Sequence, residues 1–467
     1  MMSSSERSAS RGRATALIPS LAVALILAGI YLFAHAQSVT IGRFDLNAFY
    51  CAARTLSAGA DPYRYQPLHD CELQNVHLAS PNAVVPVPLP PYAIAAFIPL
   101  SRLSLPQANV TWLLLLVIGA GVVTWVVVAL TGLPVWLVGA CAISALLVEP
   151  LTNGAMAPVP IALLCGAALA MARTRWNLAA VLLGFACIQP HVALPPMLAA
   201  FVLVPFMRLR IVIVTVAIVV LSLLAGGLAL NVEYLSAVLP AHAASELGTS
   251  AQYSLSAVLH LIGLSDRLAV TLGSVQYAVF VVLGVWLASM LKRDLPGSVV
   301  LAPLACAVTG GTFIHQPEIA GALPFAFLVT SNLRSTLSWL GVLLLTIPWE
   351  YVLDSGLVFL AGLAFFAILA YRRNVGPITA ALAGVTLSAV LLYAHIKIPL
   401  HLTLGSIPPI PAGALAEVGW KPLQDGFPPN AFWWPGHILA YLGLAVVYWC
   451  ALAVIRKRSG VQALAVG

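Results

Sequence analysis

Apolar runs broken by short clusters of arginine, lysine, proline and glycine organise this chain from end to end. A helix needs about 20 apolar residues to cover the hydrocarbon core of a bilayer. Runs of this kind, some of them short, fall at 14–35, 106–130, 133–151, 156–172, 176–190, 192–207, 211–231 and 268–291, then at 297–314, 318–332, 335–351, 355–371, 376–395 and 436–455. The pattern predicts an all-α polytopic membrane protein of about 14 (12–14) transmembrane helices, with residues 1–467 forming a single membrane-embedded domain. The first run follows Arg7, Arg11 and Arg13. It exceeds the roughly 7 to 15 residues of a signal-peptide core, so it reads as an uncleaved span behind a cytoplasmic tail, residues 1–13.

Composition sharpens this picture. Hydrophobic residues make up 61% of the chain and charged residues 8%, against roughly 25% charged in soluble domains, which excludes a soluble protein. The net charge of +7 sits in the connectors, so it reads as an orientation signal and implies no nucleic-acid partner. Alternating sides from a cytoplasmic N-terminus puts Arg173/Arg175, Arg208/Arg210, Lys292/Arg293, Arg334, Arg372/Arg373 and Arg456/Lys457/Arg458 inside. With the N-terminal arginines, 15 of the 22 basic residues are cytoplasmic, while 13 of the 15 acids fall on the other side. Both termini are therefore expected in the cytoplasm of a plasma (inner) membrane protein. Any chemistry is expected on the outer or periplasmic side, built from the loops 36–105, 232–267 and 396–435.

The first outer loop carries the densest polar cluster, from Arg43-Phe44-Asp45 to Asp61-Pro62-Tyr63. Residues 45–58 favour a helix that Gly59 and Asp61-Pro62 end. Asp45 would sit in its first turn, either as an ordinary N-cap or as an ionised carboxylate suited to accept a proton. Arg54 would be an interfacial anchor or a partner for phosphate. Pro86 to Pro91 followed by Tyr92 reads as a rigid turn into an interfacial helix. Asn153-Gly154, Gln189-Pro190-His191, His315-Gln316-Pro317-Glu318, and Glu350 with Asp354 all fall at the outer ends of spans. Polar groups at such depth are costly unless paired or facing water, so they are expected to line one cavity.

Cys51 and Cys71 share the first outer loop, a candidate disulfide in an oxidising compartment, whereas the other five cysteines lie in spans. The scattered histidines and carboxylates lack metal-ligand spacing, and no phosphate-cradling loop or nucleophile turn is present, so no metal or cofactor is required.

The run Asp45-x3-Phe49-Tyr50-x-Ala52-Ala53-Arg54-x4-Gly59-x-Asp61-Pro62-Tyr63, then Pro90-Pro91-Tyr92 with Pro99-Leu100, and Asn153-Gly154 followed by Ala180 to Ala186, resembles the C-type (GT-C) glycosyltransferases, and within them glycosyltransferase family 87. The likeness covers roughly the first half of the chain, and His315 to Leu323 further on. It implies a GT-C-like fold with interfacial helices in the first outer loop. It also implies inverting transfer of a sugar, commonly mannose, from a polyprenyl-phosphate donor to a lipid or glycan hydroxyl. Asp45 would be the general base. Arg54, His191, His315, Gln189, Asn153, Tyr50 and Tyr63 would serve the donor phosphate or substrate, with membrane lipids as surroundings. The chain departs from the family at Ala155, where Gln is common, and at Gln189-Pro190-His191, where Lys is common; His191 is the nearest substitute. Readings from other classes are a transporter or flippase of lipid-linked glycan and an inactive relative. Clear internal repeats and charges central to the spans, which would favour transport, are not seen.

Overall fold

The computed structural model describes residues 44–75, 81–349, 368, 407–426 and 433–465. The tail 1–13, the span 14–35, all of the spans 355–371 and 376–395 except Ile368, Glu350, Asp354 and part of the loop 396–435 lie outside the described residues.

Within the described residues there is no β-strand, only an isolated antiparallel bridge between Arg64 and Leu415. The segment after residue 43 folds into four short helices: α1 (Phe44–Ser57), α2 (Tyr65–Leu73), α3 (Pro91–Ala95) and α4 (Ile98–Ser101). Then come α5 (Leu105–Thr131), α6 (Val135–Asn153), α7 (Pro158–Ala172), α8 (Trp176–Ala186), α9 (Pro190–Leu203), α10 (Arg208–Glu233), α11 (Leu239–Ser245) and α12 (Leu255–Leu261). The chain continues through α13 (Asp266–Leu291), α14 (Ser298–Gly310), α15 (Gln316–Ile319), α16 (Leu323–Leu333), α17 (Thr336–Thr346), α18 (Glu417–Asp425) and α19 (Trp433–Ala465).

Local chemistry sets these boundaries. Ser104 and Gln107 form a reciprocal capping box at the start of α5, and Pro106 occupies its first turn, where no amide donor is needed. Gly132 (φ 68°) ends α5 and Gly154 (φ 83°) ends α6, both in the left-handed region that a side chain would strain.

Helices occupy every described segment expected to span, but their lengths differ from the expectation. Among the described residues, four stretches are long and apolar enough to cross a membrane: Leu105–Thr131, Pro205–Ser245, Asp266–Leu291 and Gly436–Lys457. Others are shorter; α8, with 11 residues, rises only about 16 Å. The expected run 318–332 is divided into α15, a tight turn at Ala320–Ala322, and α16. The expected loop 232–267 is largely helical, because α10 runs on through Tyr234–Val238 into α11. The chain is thus a helical membrane protein with long and short apolar helices interleaved.

Burial orders the bundle. All 13 residues of α14 are buried, as expected of a helix apolar all round and enclosed by others. By contrast α10 buries only Ile211 and Ser222, leaving an apolar surface suited to lipid. α13 and α14 approach closely at Gly310, where a Cβ would come within 2.8 Å of Phe280 Cβ and 2.9 Å of Tyr277 Cα. A methyl group there would force the helices apart.

The helix expected over 45–58 forms as α1, and it buries ten of its 14 residues, Leu46 to Ala53 among them. Phe49 stacks on Phe97 with centroids 4.8 Å apart and meets Trp112 edge-on at 6.3 Å. Cys51 on α1 and Cys71 on α2 are joined by a disulfide, their Cα atoms 5.7 Å apart. Arg64 ties this region to distant chain. Its guanidinium meets Asp61 (3.0 Å), Glu233 at the end of α10, and the carbonyl of Gly413 (3.2 Å). Around it Tyr65 N–H donates to Ala414 O (2.8 Å) and Ala416 N–H to Tyr63 O (3.0 Å).

Glu72 is 1% exposed, with Oε2 accepting the Val85 N–H at 2.9 Å and Oε1 lacking a hydrogen-bond partner. Burial pushes its carboxyl up to about 8, against the lowering effect of the Val85 bond. The folded protein therefore keeps a proton that the unfolded chain releases near 4.5, so stability falls as pH rises from there to about 8 and then levels off. Glu72→Gln is expected to flatten that decline by on the order of 1 kcal/mol or more. Thermal unfolding in detergent across this window checks it; an unchanged slope would contradict the assignment.

Candidate functional site

Eight ionisable or amide side chains from separate parts of the chain converge at one end of the bundle. Asp45, in the first turn of α1, is half-buried and lies within electrostatic range of His315, Glu246 and Glu318. His315 precedes α15 and stands between two carboxylates: its Nε2 is 3.1 Å from Glu246 Oε2 and its Nδ1 is 3.6 Å from Glu318 Oε2. Local sequence holds this geometry. The His315 backbone N–H donates to Glu318 Oε2 at 2.7 Å, and Pro317 in the first turn of α15 suits a helix start. Gln189, just before α9, donates from Nε2 to Glu318 Oε1 at 2.7 Å.

Glu246, one residue past α11, is 3% exposed. His242 Nε2 lies 3.4 Å away on the preceding turn, Gln252 Nε2 donates to Oε2 at 2.8 Å, and Trp420 Nε1 on α18 donates to Oε1 at 2.9 Å. Gln252 is itself fixed, since its Oε1 accepts the Ile314 N–H (3.1 Å) and its carbonyl meets His437 Nε2 (2.6 Å). Phe313 completes the wall: the His191 ring lies 5.1 Å from its centroid and the His242 ring 5.4 Å, edge-on.

The charges follow from this arrangement. Burial pushes the Asp45 carboxyl up to about 7; His315 opposes the rise, and Glu246 and Glu318 add to it. For His315 burial alone would favour the neutral ring, but Glu246 and Glu318 hold it well above its ordinary value. Burial works against ionised Glu246 too, yet His242, His315 and Trp420 bring it below the usual carboxylate range. Near neutral pH the site therefore combines a carboxyl able to take or release a proton with a fixed imidazolium. Among the described residues, no three His, Cys, Asp or Glu side chains converge as metal ligands.

Beside this end runs an apolar cavity of about 480 Å³ between α9, α10 and α13, lined by Leu194, Met197, Phe201, Val212, Tyr277 and Val281 among others. The Tyr277 hydroxyl donates to the carbonyl of His191 at 2.5 Å and so links the cavity to the polar cluster.

Of the residues singled out from sequence, Asp45, Gln189, His191 and His315 come together here. Arg54 does not join them. It lies nine residues along α1 from Asp45, about 14 Å on, and is exposed with its guanidinium over the Tyr50 ring at 5.8 Å. Tyr50 and Tyr63 are buried, and their hydroxyls donate to Leu103 O (2.9 Å) and Leu89 O (2.7 Å). Asn153 closes α6 beside Gly154, whose carbonyl accepts the Trp112 indole N–H at 2.8 Å. Sequence reasoning missed His242, Glu246, Gln252 and Trp420. The visible signal was His242 four residues before Glu246, a spacing that stacks the two on one helix face. No family model, curated protein or solved structure matches the chain.

Dicyclohexylcarbodiimide attacks protonated carboxyls in apolar settings, and Asp45 should react with a midpoint near pH 7. In His315→Gln, removal of the neighbouring cation should move that midpoint upward. Labelling of Asp45 that ignores this substitution would show that the two groups do not interact.

Proposed function

We propose that this chain is a membrane glycosyltransferase of the GT-C type, similar to glycosyltransferase family 87 and built on about fourteen spans. In this reading it transfers a hexose or pentose, commonly mannose in that family, from a polyprenyl-phosphate donor to a lipid or glycan hydroxyl. The site would face the outer or periplasmic side of the plasma membrane, as the charge distribution of the connectors implies. The observation that carries the reading is that Asp45 lies within electrostatic range of His315 and its two carboxylate partners, beside an apolar cavity large enough for part of an isoprenoid chain.

The acceptor oxygen attacks the anomeric carbon from the face opposite the phosphate, forming the new glycosidic bond with inversion. Asp45 takes the hydroxyl proton as that bond forms. A carboxyl titrating near 7 is well matched to this task, because half of it is ionised while it remains basic. The bond between the anomeric carbon and phosphate oxygen breaks, and its electron pair leaves with the polyprenyl phosphate. The added negative charge is stabilised by His315, whose ring bears positive charge throughout. Both of its nitrogens face carboxylates, so His315 serves as a charge and not as the proton donor.

The test uses purified protein in nanodiscs with radiolabelled polyprenyl-phosphate sugars and a crude lipid extract, comparing wild type with Asp45→Asn. Label should pass to a new lipid with wild type. The variant should bind donor equally and transfer roughly 10² to 10⁴ times more slowly. Undiminished turnover by Asp45→Asn would remove the proposed role, and donor binding without transfer by wild type would favour carriage or flipping of a lipid-linked glycan.

A further inference from the structure

Neutral imidazole presents one N–H and one lone pair, and a lone pair directed at a carboxylate is repelled. His315 has carboxylate oxygens against both ring nitrogens, Glu246 at 3.1 Å and Glu318 at 3.6 Å. The 3.1 Å contact with Glu246 therefore calls for a proton on Nε2, while Glu318 at 3.6 Å adds its negative charge beyond hydrogen-bond length from Nδ1. The two carboxylates are not equivalent: Glu246 makes the shorter contact, and Glu318 is shared with Gln189 and with the His315 backbone N–H.

We propose that Glu246 is the positioning residue that keeps His315 permanently charged and aimed beside Asp45, with Trp420 and Gln252 orienting Glu246 in turn. The role rests on the glycosyl-transfer reading above and extends it to a residue that need not touch substrate. Oε2 of Glu246 receives His315 and Gln252, while Oε1 receives Trp420 and faces His242. These partners come from α11, the segment before α12, the start of α15, and α18. Displacing any one of them rotates the carboxylate and with it the imidazole. The titratable groups around His315 are Asp45 from α1, His191 at the start of α9, His242 and Glu246 at the end of α11, and Glu318 on α15. Glu417 on α18 lies behind Glu246. Among the described residues no lysine or arginine belongs to this group.

The consequence is a specific pH signature. With Glu246 in place, His315 keeps its charge across the neutral range. With Glu246→Gln, half of the compensating charge goes and the ring should titrate nearer its ordinary value of about 6.5. Diethyl pyrocarbonate modifies only neutral imidazole, so peptide mass spectrometry of the labelled full-length protein reads the His315 midpoint without any turnover. Wild type should resist labelling to well above pH 7. Glu246→Gln should label with a midpoint displaced downward by a unit or more, and Glu246→Asp should fall between.

In the transfer assay Glu246→Gln should lose roughly tenfold or more in kcat on going from about pH 6 to about pH 8, with KM within about twofold, while wild type shows no such loss. A uniform loss at every pH with the His315 midpoint unmoved would mean that Glu246 is merely structural and would overturn the proposal. Should Glu246→Gln fail to accumulate in membranes, Glu246→Asp carries the same test, and an unmoved midpoint there overturns it equally. Absence of transfer by wild type with every donor would defeat the function reading, while the labelling arm still decides what Glu246 does to His315.

Discussion

Carboxylates buried in an apolar protein must find positive charge and hydrogen-bond donors, because the solvation they leave behind is worth several kcal/mol per ion. Glu246 and Glu318, 3% and 8% exposed, are reconciled with their surroundings by one shared histidine. Around that exchange the rest of the site is arranged: Gln189 and the His315 backbone serve Glu318, while His242, Gln252 and Trp420 serve Glu246. Asp45 is half-buried, and burial raises its carboxyl to about 7, which makes it the group poised to change protonation near neutral pH.

The bundle supplies what this polar node needs. The fully buried α14 forms a stem, and the turn that follows it carries Phe313 and His315. Close approach of α13 at Gly310 brings Tyr277 to where its hydroxyl reaches the His191 carbonyl. That bond stands between the apolar cavity and the charged cluster, so a lipid chain and a polar headgroup could be held by neighbouring surfaces. The disulfide between α1 and α2 and the Arg64 contacts with Glu233 and Gly413 anchor the helix that presents Asp45. A rigid mount matters for the proposed chemistry because a base must lie within hydrogen-bond reach of the attacking hydroxyl.

Much of this was legible in particular residues. The helix from Asp45 to the turn at Gly59 could be read from its neighbours, and Cys51 and Cys71 paired as their shared segment suggested. Gln189, His191 and His315 stood out because polar groups are rare at the ends of apolar runs. Glu246 did not stand out, since it follows Ala243, Ala244 and Ser245 and only His242, four residues earlier, marks its place. Trp420 lies 174 residues from Glu246 along the chain, and no local pattern links the two. Arg54 illustrates the opposite error. It shares a motif with Asp45, but the pitch of the helix carries it about 14 Å away, and exposed guanidinium is cheap to solvate at that point.

By itself the sequence determined that the chain is helical and membrane-integral, where caps such as Ser104, Gly132 and Gly154 bound its helices, and which polar residues are too costly to be incidental. Those properties depend on neighbours along the chain: hydropathy over a run, a cap, a proline, a glycine at positive φ. Only the structure decided how long each described apolar helix is and which of them, such as α14, are enclosed by others. It alone decided that Gln189, Glu246, His315 and Trp420 join one cluster, with Asp45 in electrostatic range of it. Charge compensation in a low-dielectric interior acts through space at a few ångströms, and no spacing along the sequence encodes that distance.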